Sequence, residues 1–286
     1  MFARLSCLHA TKKERLNINL ATTAAAIIAT ALALPSPSQA LAQSSLVLAI
    51  QPIQSEEKTA EVFQPMADYI QTVTGIPTSI KTYPNFISYW STTQKPGSYD
   101  LALDAAHFTD YRIVNQAFQP LAKQEGSVSF SLIVGEDSLV FDAEELVGKK
   151  IATLGAPSVG AVRLNEIFDN PVRQPLIIET NNSQQAMEML LAGEVDAAIL
   201  PTPIVSQRMS GEGGLNVVMT TDPLPSITLS ASPQVGDDVL NTLRDAFLNA
   251  EQTDAGKAML SSTNLPAFEA TETTLYENQA ELLEDF

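Results

Sequence analysis

Beyond its N-terminal segment the chain alternates short apolar runs with longer stretches of helical period, in two successive series, and a layered α/β fold is what buries both kinds of element. Residues 46–50 form the first expected strand. Ser55 caps the helix that follows, with Glu56 and Glu57 in its first turn where the helix dipole favours acids. Val62, Phe63, Met66, Tyr69, Ile70 and Val73 share one face of that helix, Gly75 stops it, and Pro65 predicts a kink. The first series continues with strands at 78–82, 99–103 and 127–134 and helices at 85–93 and 104–118. The second has strands at 151–154, 176–178, 197–200, 215–219 and 227–230, with helices at 159–168, 183–192 and 237–250. Two comparable series predict two lobes, each a mostly parallel sheet flanked by helices, with a cleft between them.

The N-terminal segment differs in kind. Arg4, Lys12, Lys13 and Arg15 precede an Ala-, Ile- and Leu-rich run at 20–34, and Ala40-Leu41-Ala42 closes it, which reads as a Sec-type signal peptide cleaved after Ala42. Its removal takes away four basic residues and Glu14, so the formal charge moves from −17 for the whole chain to −20 for the exported part. It also takes Cys7, the one cysteine of the sequence, leaving no disulfide, thiolate nucleophile or Cys metal site. An acidic surface with no basic patch excludes nucleic acid as a partner.

Catalysis has little to work with. His107 is the one histidine beyond residue 42, no nucleophile-elbow motif marks a serine for it, and H-E-x-x-H, Walker A and EF-hand patterns are absent. No cofactor and no metal site are expected.

Several stretches carry a family likeness: Phe63-Gln64-Pro65-Met66-Ala67-Asp68-Tyr69-Ile70 with Gly75-Ile76-Pro77, and Tyr99-Asp100-Leu101-Ala102-Leu103. Leu146-Val147-Gly148-Lys149-Lys150-Ile151-Ala152, Ala192-Gly193-Glu194-Val195-Asp196-Ala197-Ala198, and Asn264-Leu265-Pro266-Ala267-Phe268 with Tyr276 continue it in order. In these the chain resembles the phosphate/phosphonate-type solute-binding proteins of ABC importers, periplasmic binding proteins of type II topology. The resemblance implies lobe one at 43–134 plus 226–286, lobe two at 135–225, and hinge crossings near 134–137 and 221–226. It also implies a soluble periplasmic monomer that captures a small polar, anionic solute by hinge closure and presents it to an inner-membrane permease. Two other readings stay open: a receptor for a membrane sensor kinase, and a hydrolase using His107.

Loops at the carboxyl ends of parallel strands open helix N-termini, whose free N–H groups attract anions. The candidate ligand-binding residues are therefore Gln54, Tyr83, Asp104, Ala105, Ala106, His107, Ser158, Val159, Gly160, Asn181, Asn182 and Thr202. Asp104 is expected as the N-cap of its helix or as a partner for a cationic ligand group. His107 either offers an N–H or a positive charge to the ligand or faces solvent, and Trp90 reads as a core contact. Three departures from the family stand out. After Pro157-Ser158 come Val159-Gly160-Ala161 in place of a hydroxyl-rich S-T-S-G run, Ala105-Ala106 replaces a Gly-Pro pair, and Pro201 stands where relatives carry an acid that pairs with an aminophosphonate.

Overall fold

The computed structural model describes residues 44–284 and 286; the expected signal sequence lies outside them. In chain order the first part runs β1 (Leu46–Ile50), α1 (Glu56–Thr74), β2 (Thr78–Lys81), α2 (Phe86–Thr93), β3 (Leu101–Asp104), α3 (Ala106–Gln116), β4 (Gln119–Gln124), β5 (Ser127–Val128) and β6 (Phe130–Gly135). Then come β7 (Lys150–Leu154), α4 (Val159–Ile167), β8 (Leu176–Thr180), α5 (Ser183–Leu191), β9 (Ala197–Pro201), α6 (Thr202–Gly211) and β10 (Leu215–Thr220). The chain ends with β11 (Leu224–Pro225), β12 (Thr228–Ala231), α7 (Asp237–Leu248), α8 (Asp254–Thr263), β13 (Phe268–Glu269) and two 3₁₀ turns at Thr273–Tyr276 and Gln279–Leu283.

The strands form a six-stranded sheet, β13-β4-β12-β3-β1-β2, and a five-stranded sheet, β10-β6-β9-β7-β8. Both are mixed. β1, β2 and β3 are parallel, as are β7, β8 and β9, while β4, β12, β13, β6 and β10 join by antiparallel pairing. The expectation of mostly parallel sheets thus holds for the βα units alone. One boundary also moves. The strand ending near Val134 was expected in the first lobe, but β6 pairs with β9 and β10 in the second sheet. The chain therefore passes between sheets before Phe130, where β5 and β11 form a short antiparallel ribbon.

Local chemistry accounts for the element ends. Ser55 Oγ accepts the Lys58 N–H, and Gly75 closes α1 at φ 71° with its N–H on the Gln71 carbonyl, a conformation that costs glycine nothing. α1 runs unbroken through Pro65 because its packed face carries it: Met66, Tyr69 and Ile70 are buried with Leu240, Leu243, Phe247 and Met259. A second core, around Leu132, Val134, Ile151, Leu164 and Ile199, lies on the five-stranded sheet. A third apolar cluster draws on both sheets, joining Ala49, Tyr89 and Phe108 to Ile133, Ala152, Met187 and Leu200.

Among the longer elements, three escape the sequence reading. β4 holds a proline and a lysine in six residues, yet it is central, with Lys123 Nζ bonded to Glu269 of β13 and to the Gly126 carbonyl at 3.0 Å. α6 and α8 are short and rich in small or polar residues, so their periodicity is faint.

α8 also holds a close approach. Gly256 receives the Thr253 cap on its N–H at 3.0 Å, and a Cβ at this position would overlap the backbone of Ala250. Gly256→Ala is expected to lower unfolding free energy by about 2 kcal/mol in urea titrations, as overpacking against backbone does.

Candidate functional site

The loops leaving the carboxyl ends of β1, β2 and β3 face those leaving β7, β8 and β9, and the two sets touch. The Ser183 N–H at the start of α5 donates to the Ile53 carbonyl at 3.1 Å. His107 Nε2 lies 3.0 Å from the Pro157 carbonyl oxygen. Val159 packs against Ala105 and Leu224 in a small buried apolar seam.

Behind the β3–α3 loop lies a buried ion pair that sequence reasoning missed on its cationic side. Asp104 is not the N-cap of α3; Ala105 holds that position without a side-chain bond. The Asp104 carboxylate accepts from Arg112, from the Tyr89 hydroxyl and from Thr109 Oγ1 (3.3 Å). The Arg112 guanidinium also reaches the hydroxyls of Tyr99 (2.8 Å), Tyr89 (2.8 Å) and Thr93 (3.2 Å). Both partners are fully buried. Burial alone would lower the Arg112 pKa, but the Asp104 charge and the tyrosine hydroxyls outweigh it and hold the guanidinium charged. Asp104 is thus occupied within the protein, which removes it as a partner for a cationic ligand. One signal was available: Arg112 sits eight residues after Asp104, two helical turns along α3.

His107 fits neither of its expected roles. It is fully buried, not solvent-facing, and burial lowers its pKa to about 4, with the Arg112 and Arg163 charges adding to the effect. It is therefore neutral at physiological pH. A carbonyl oxygen only accepts, so Nε2 carries the proton and Nδ1 is a bare acceptor. That Nδ1 is buried without a hydrogen-bond partner, and so are the Tyr83 hydroxyl and the Ser183 Oγ.

The remaining expected residues divide by what they already hold. The Ser158 hydroxyl donates to the Leu154 carbonyl and accepts the Ala161 N–H at 3.3 Å, so it is committed to capping α4. Gly160 is buried where a Cβ would crowd Thr153 Oγ1 at 3.1 Å and the Ile199 carbonyl at 3.4 Å, which lets α4 sit close on the sheet. Ala106 is buried in the first turn of α3, and the Ala105 N–H donates to Gln51 Oε1 at 3.2 Å. Asn182 caps α5 by accepting the Gln185 N–H on Oδ1 at 2.9 Å, and the N–H of the exposed Asn181 donates to Gln185 Oε1 at 3.0 Å. Thr202 Oγ1 is bonded to Ser129 and Ser131 hydroxyls, each at 2.9 Å. Trp90 is a core residue, as expected, with Nε1 donating to the Phe286 carbonyl at 3.2 Å.

Open space lies to one side of the touching loops. A cavity of about 920 Å³ is bounded by Gln54, Ser55 and Lys58 from α1 and its loop, by Asn182 to Gln185 from the start of α5, and by Gln207 and Arg208 from α6. A second, of about 350 Å³, adjoins it through Ile53, Gln54, Ile204 and Gln207. This is the scale of small-molecule sites. Its lining is amide-rich, carries Lys58 and Arg208 against Glu188 and Glu212, and includes the buried, unpartnered Ser183 that the sequence reading passed over. Gln54 and Asn182 are the expected residues that reach it. Among the described residues no group of three or more His, Cys, Asp or Glu side chains is arranged to hold a metal ion.

Strand-end loops of two mixed sheets meeting across a groove define a type II periplasmic-binding-protein fold. A family profile described as "ABC transporter, phosphonate, periplasmic substrate-binding protein" matches residues 48–276, and the chain belongs to that family. Solved structures agree on the fold. PhnD1 from Prochlorococcus marinus, in complex with methylphosphonate, is 12% identical, with 85% of this chain and 98% of that one covered at a TM-score of 0.73. XAC2383 from Xanthomonas citri, bound to ATP, is 16% identical over 84% of this chain and 96% of its own, at 0.68. A binding-protein component of an ABC phosphonate transporter from Pseudomonas aeruginosa is 14% identical over 83% of each chain, at 0.67. No curated protein sequence matches.

Two expectations follow from the loop chemistry. His107 stays neutral in the fold down to about pH 4, whereas in the unfolded chain it takes a proton below about pH 6.5. The unfolded state therefore binds more protons across that window, and stability is lost as pH falls through it. Between pH 7 and pH 5 the wild type should lose about 2 kcal/mol more than His107→Gln, read from urea melts at each pH; parallel curves would contradict the assignment. Ser158→Ala should lower ligand-free stability by about 1 kcal/mol, the usual worth of an N-cap, because its hydroxyl serves the helix.

Proposed function

We propose that the chain is the solute receptor of an ABC importer, exported by a signal sequence in residues 1–42, and that it binds a small polar solute carrying an anionic group in the groove between the two sheets. The observation that carries this reading is the groove itself, flanked by the starts of α1 and α5, with the buried, unpartnered Ser183 Oγ on its wall. Such an atom costs roughly 1–3 kcal/mol when the loops close on nothing, so a solute that bonds it favours closure. The β5–β11 ribbon is the hinge on this reading, with residues 44–126 and 226–284 moving as one body and 130–220 as the other.

The anionic group is assigned to the α5 side. α1 opens with Glu56 and Glu57, which repel an anion, whereas α5 opens with Ser183, Gln184 and Gln185. The loop from Pro157 offers little in comparison, since Ser158 is engaged and Val159 is packed on Ala105. A membrane permease is the partner that family membership implies.

Methylphosphonate, inorganic phosphate and small carboxylic acids form the test panel for calorimetric titration and thermal shift. A ligand at 100 times its dissociation constant adds about 2.7 kcal/mol of stability. At least one panel member should bind the wild type, and Ser183→Ala should weaken it about tenfold by removing one hydrogen bond to a charged ligand. Binding that Ser183→Ala and Gln54→Ala both leave unchanged would move the site elsewhere.

A further inference from the structure

We infer that two copies of this chain associate through strand β8, joining their five-stranded sheets into one continuous sheet across a two-fold axis. Four strand edges bound the two larger sheets, and three of them are guarded in the ways that stop sheets from adding strands. β13 is two residues long, β10 carries a register shift between Val217 and Met219, and β2 is polar and ends on Lys81. β8 follows Pro175 and carries Glu179, but among the four it is the longest strand without a register shift. It is a regular five-residue strand, Leu-Ile-Ile-Glu-Thr, with Leu176 57% and Ile177 41% exposed.

The register of β8 on β7 says which of its backbone groups are free. The Leu176 N–H donates to the Lys149 carbonyl and the Gln174 carbonyl accepts from the Gly148 N–H. Residues 174, 176, 178 and 180 therefore point their N–H and C=O groups at β7, and those of Ile177 and Glu179, with the Pro175 carbonyl, point outward. An antiparallel copy centred on Ile177 satisfies this edge: Ile177 exchanges two hydrogen bonds with its own counterpart, and each Glu179 N–H meets the other copy's Pro175 carbonyl. Proline suits the register because its missing N–H falls on the open edge, where strands tolerate it.

The side chains complement one another in the same register. On one face Leu176 stands opposite Ile178 of the second copy, twice, as close apolar pairs. On the other, the two Ile177 side chains meet on the axis, and each Glu179, which accepts the Ala156 N–H of its own chain at 3.4 Å, lies diagonal to the other copy's Ile177. A shift of one residue in either direction breaks this. Centring on Leu176 sets the outward Ile177 against proline's missing N–H, and centring on Ile178 brings the two Glu179 carboxylates diagonal to each other.

Light scattering coupled to size-exclusion chromatography over a dilution series tests the association, and cross-linking tests the register. The wild type is expected to show a dimer mass that halves on dilution, and Ile177→Lys, which places two lysines face to face on the axis, to show the monomer mass throughout with a melting temperature close to that of the dilute, monomeric wild type. In a Cys7→Ser background, Ile177→Cys should form a disulfide-linked dimer under mild oxidant, because opposed residues sit about 5.5 Å apart. Glu179→Cys should not, being separated from its counterpart by roughly 13 Å along the strand. A wild type of monomer mass at every concentration overturns the proposal, as does a dimer that survives Ile177→Lys or cross-links through Glu179→Cys alone.

Discussion

The buried pair of Asp104 and Arg112 is what the first half of the groove is built on. Asp104 ends β3, Arg112 lies two turns into α3, and α2 supplies Tyr89, which bonds both, and Thr93, which bonds Arg112, so three elements are tied at the point where the β3–α3 loop begins. A charge taken this far out of water is tolerable only when its donors and acceptors are met, and here the guanidinium bonds to a carboxylate and three hydroxyls. Removing one partner would strand the other, which makes the network an all-or-none support for the loop. Ala105, Ala106 and His107 inherit their positions from it.

What that support presents to the opposite loops is unusual for a receptor of anions. His107 is neutral and hydrogen-bonded to a carbonyl, Arg112 is neutralised, Ser158 caps its own helix, and Val159 fills space on Ala105. Where the family resemblance implies a hydroxyl-rich loop, this chain has an apolar seam. Polar capacity has moved to the neighbouring groove, where amides, Lys58, Arg208 and the start of α5 converge. On a chain of formal charge −17, long-range attraction for an anion is unavailable, so on the proposed reading affinity rests on short-range donors and on the exclusion of water as the loops approach.

The βα units were legible in the sequence because period and punctuation agree there: Ser55, Asn85 and Asn182 cap the helices they precede, and Gly75 ends α1. Elements whose stability comes from tertiary contacts were not. β4 is held by the Lys123–Glu269 pair and by β12, and nothing in Gln-Pro-Leu-Ala-Lys-Gln announces a buried strand. The same limit governs the site. Strand-end loops could be named from order alone, but whether a hydroxyl or an imidazole is free depends on partners far along the chain: His107 on Pro157, fifty residues on, and Ser183 on the approach of Ile53. Asp104 was misassigned for this reason, since the residue that claims it is an arginine with no motif around it.

On the proposed reading the two halves come apart around β5 and β11 and close on a solute. Energy transfer between dyes on Asn115→Cys of α3 and Asn165→Cys of α4, both exposed and on opposite sides of the groove, measures this directly in the Cys7→Ser background. Transfer should be low without solute and rise saturably as the solute found by titration is added, with the same midpoint as the calorimetric binding curve. One unchanging transfer efficiency with and without bound solute would contradict that reading.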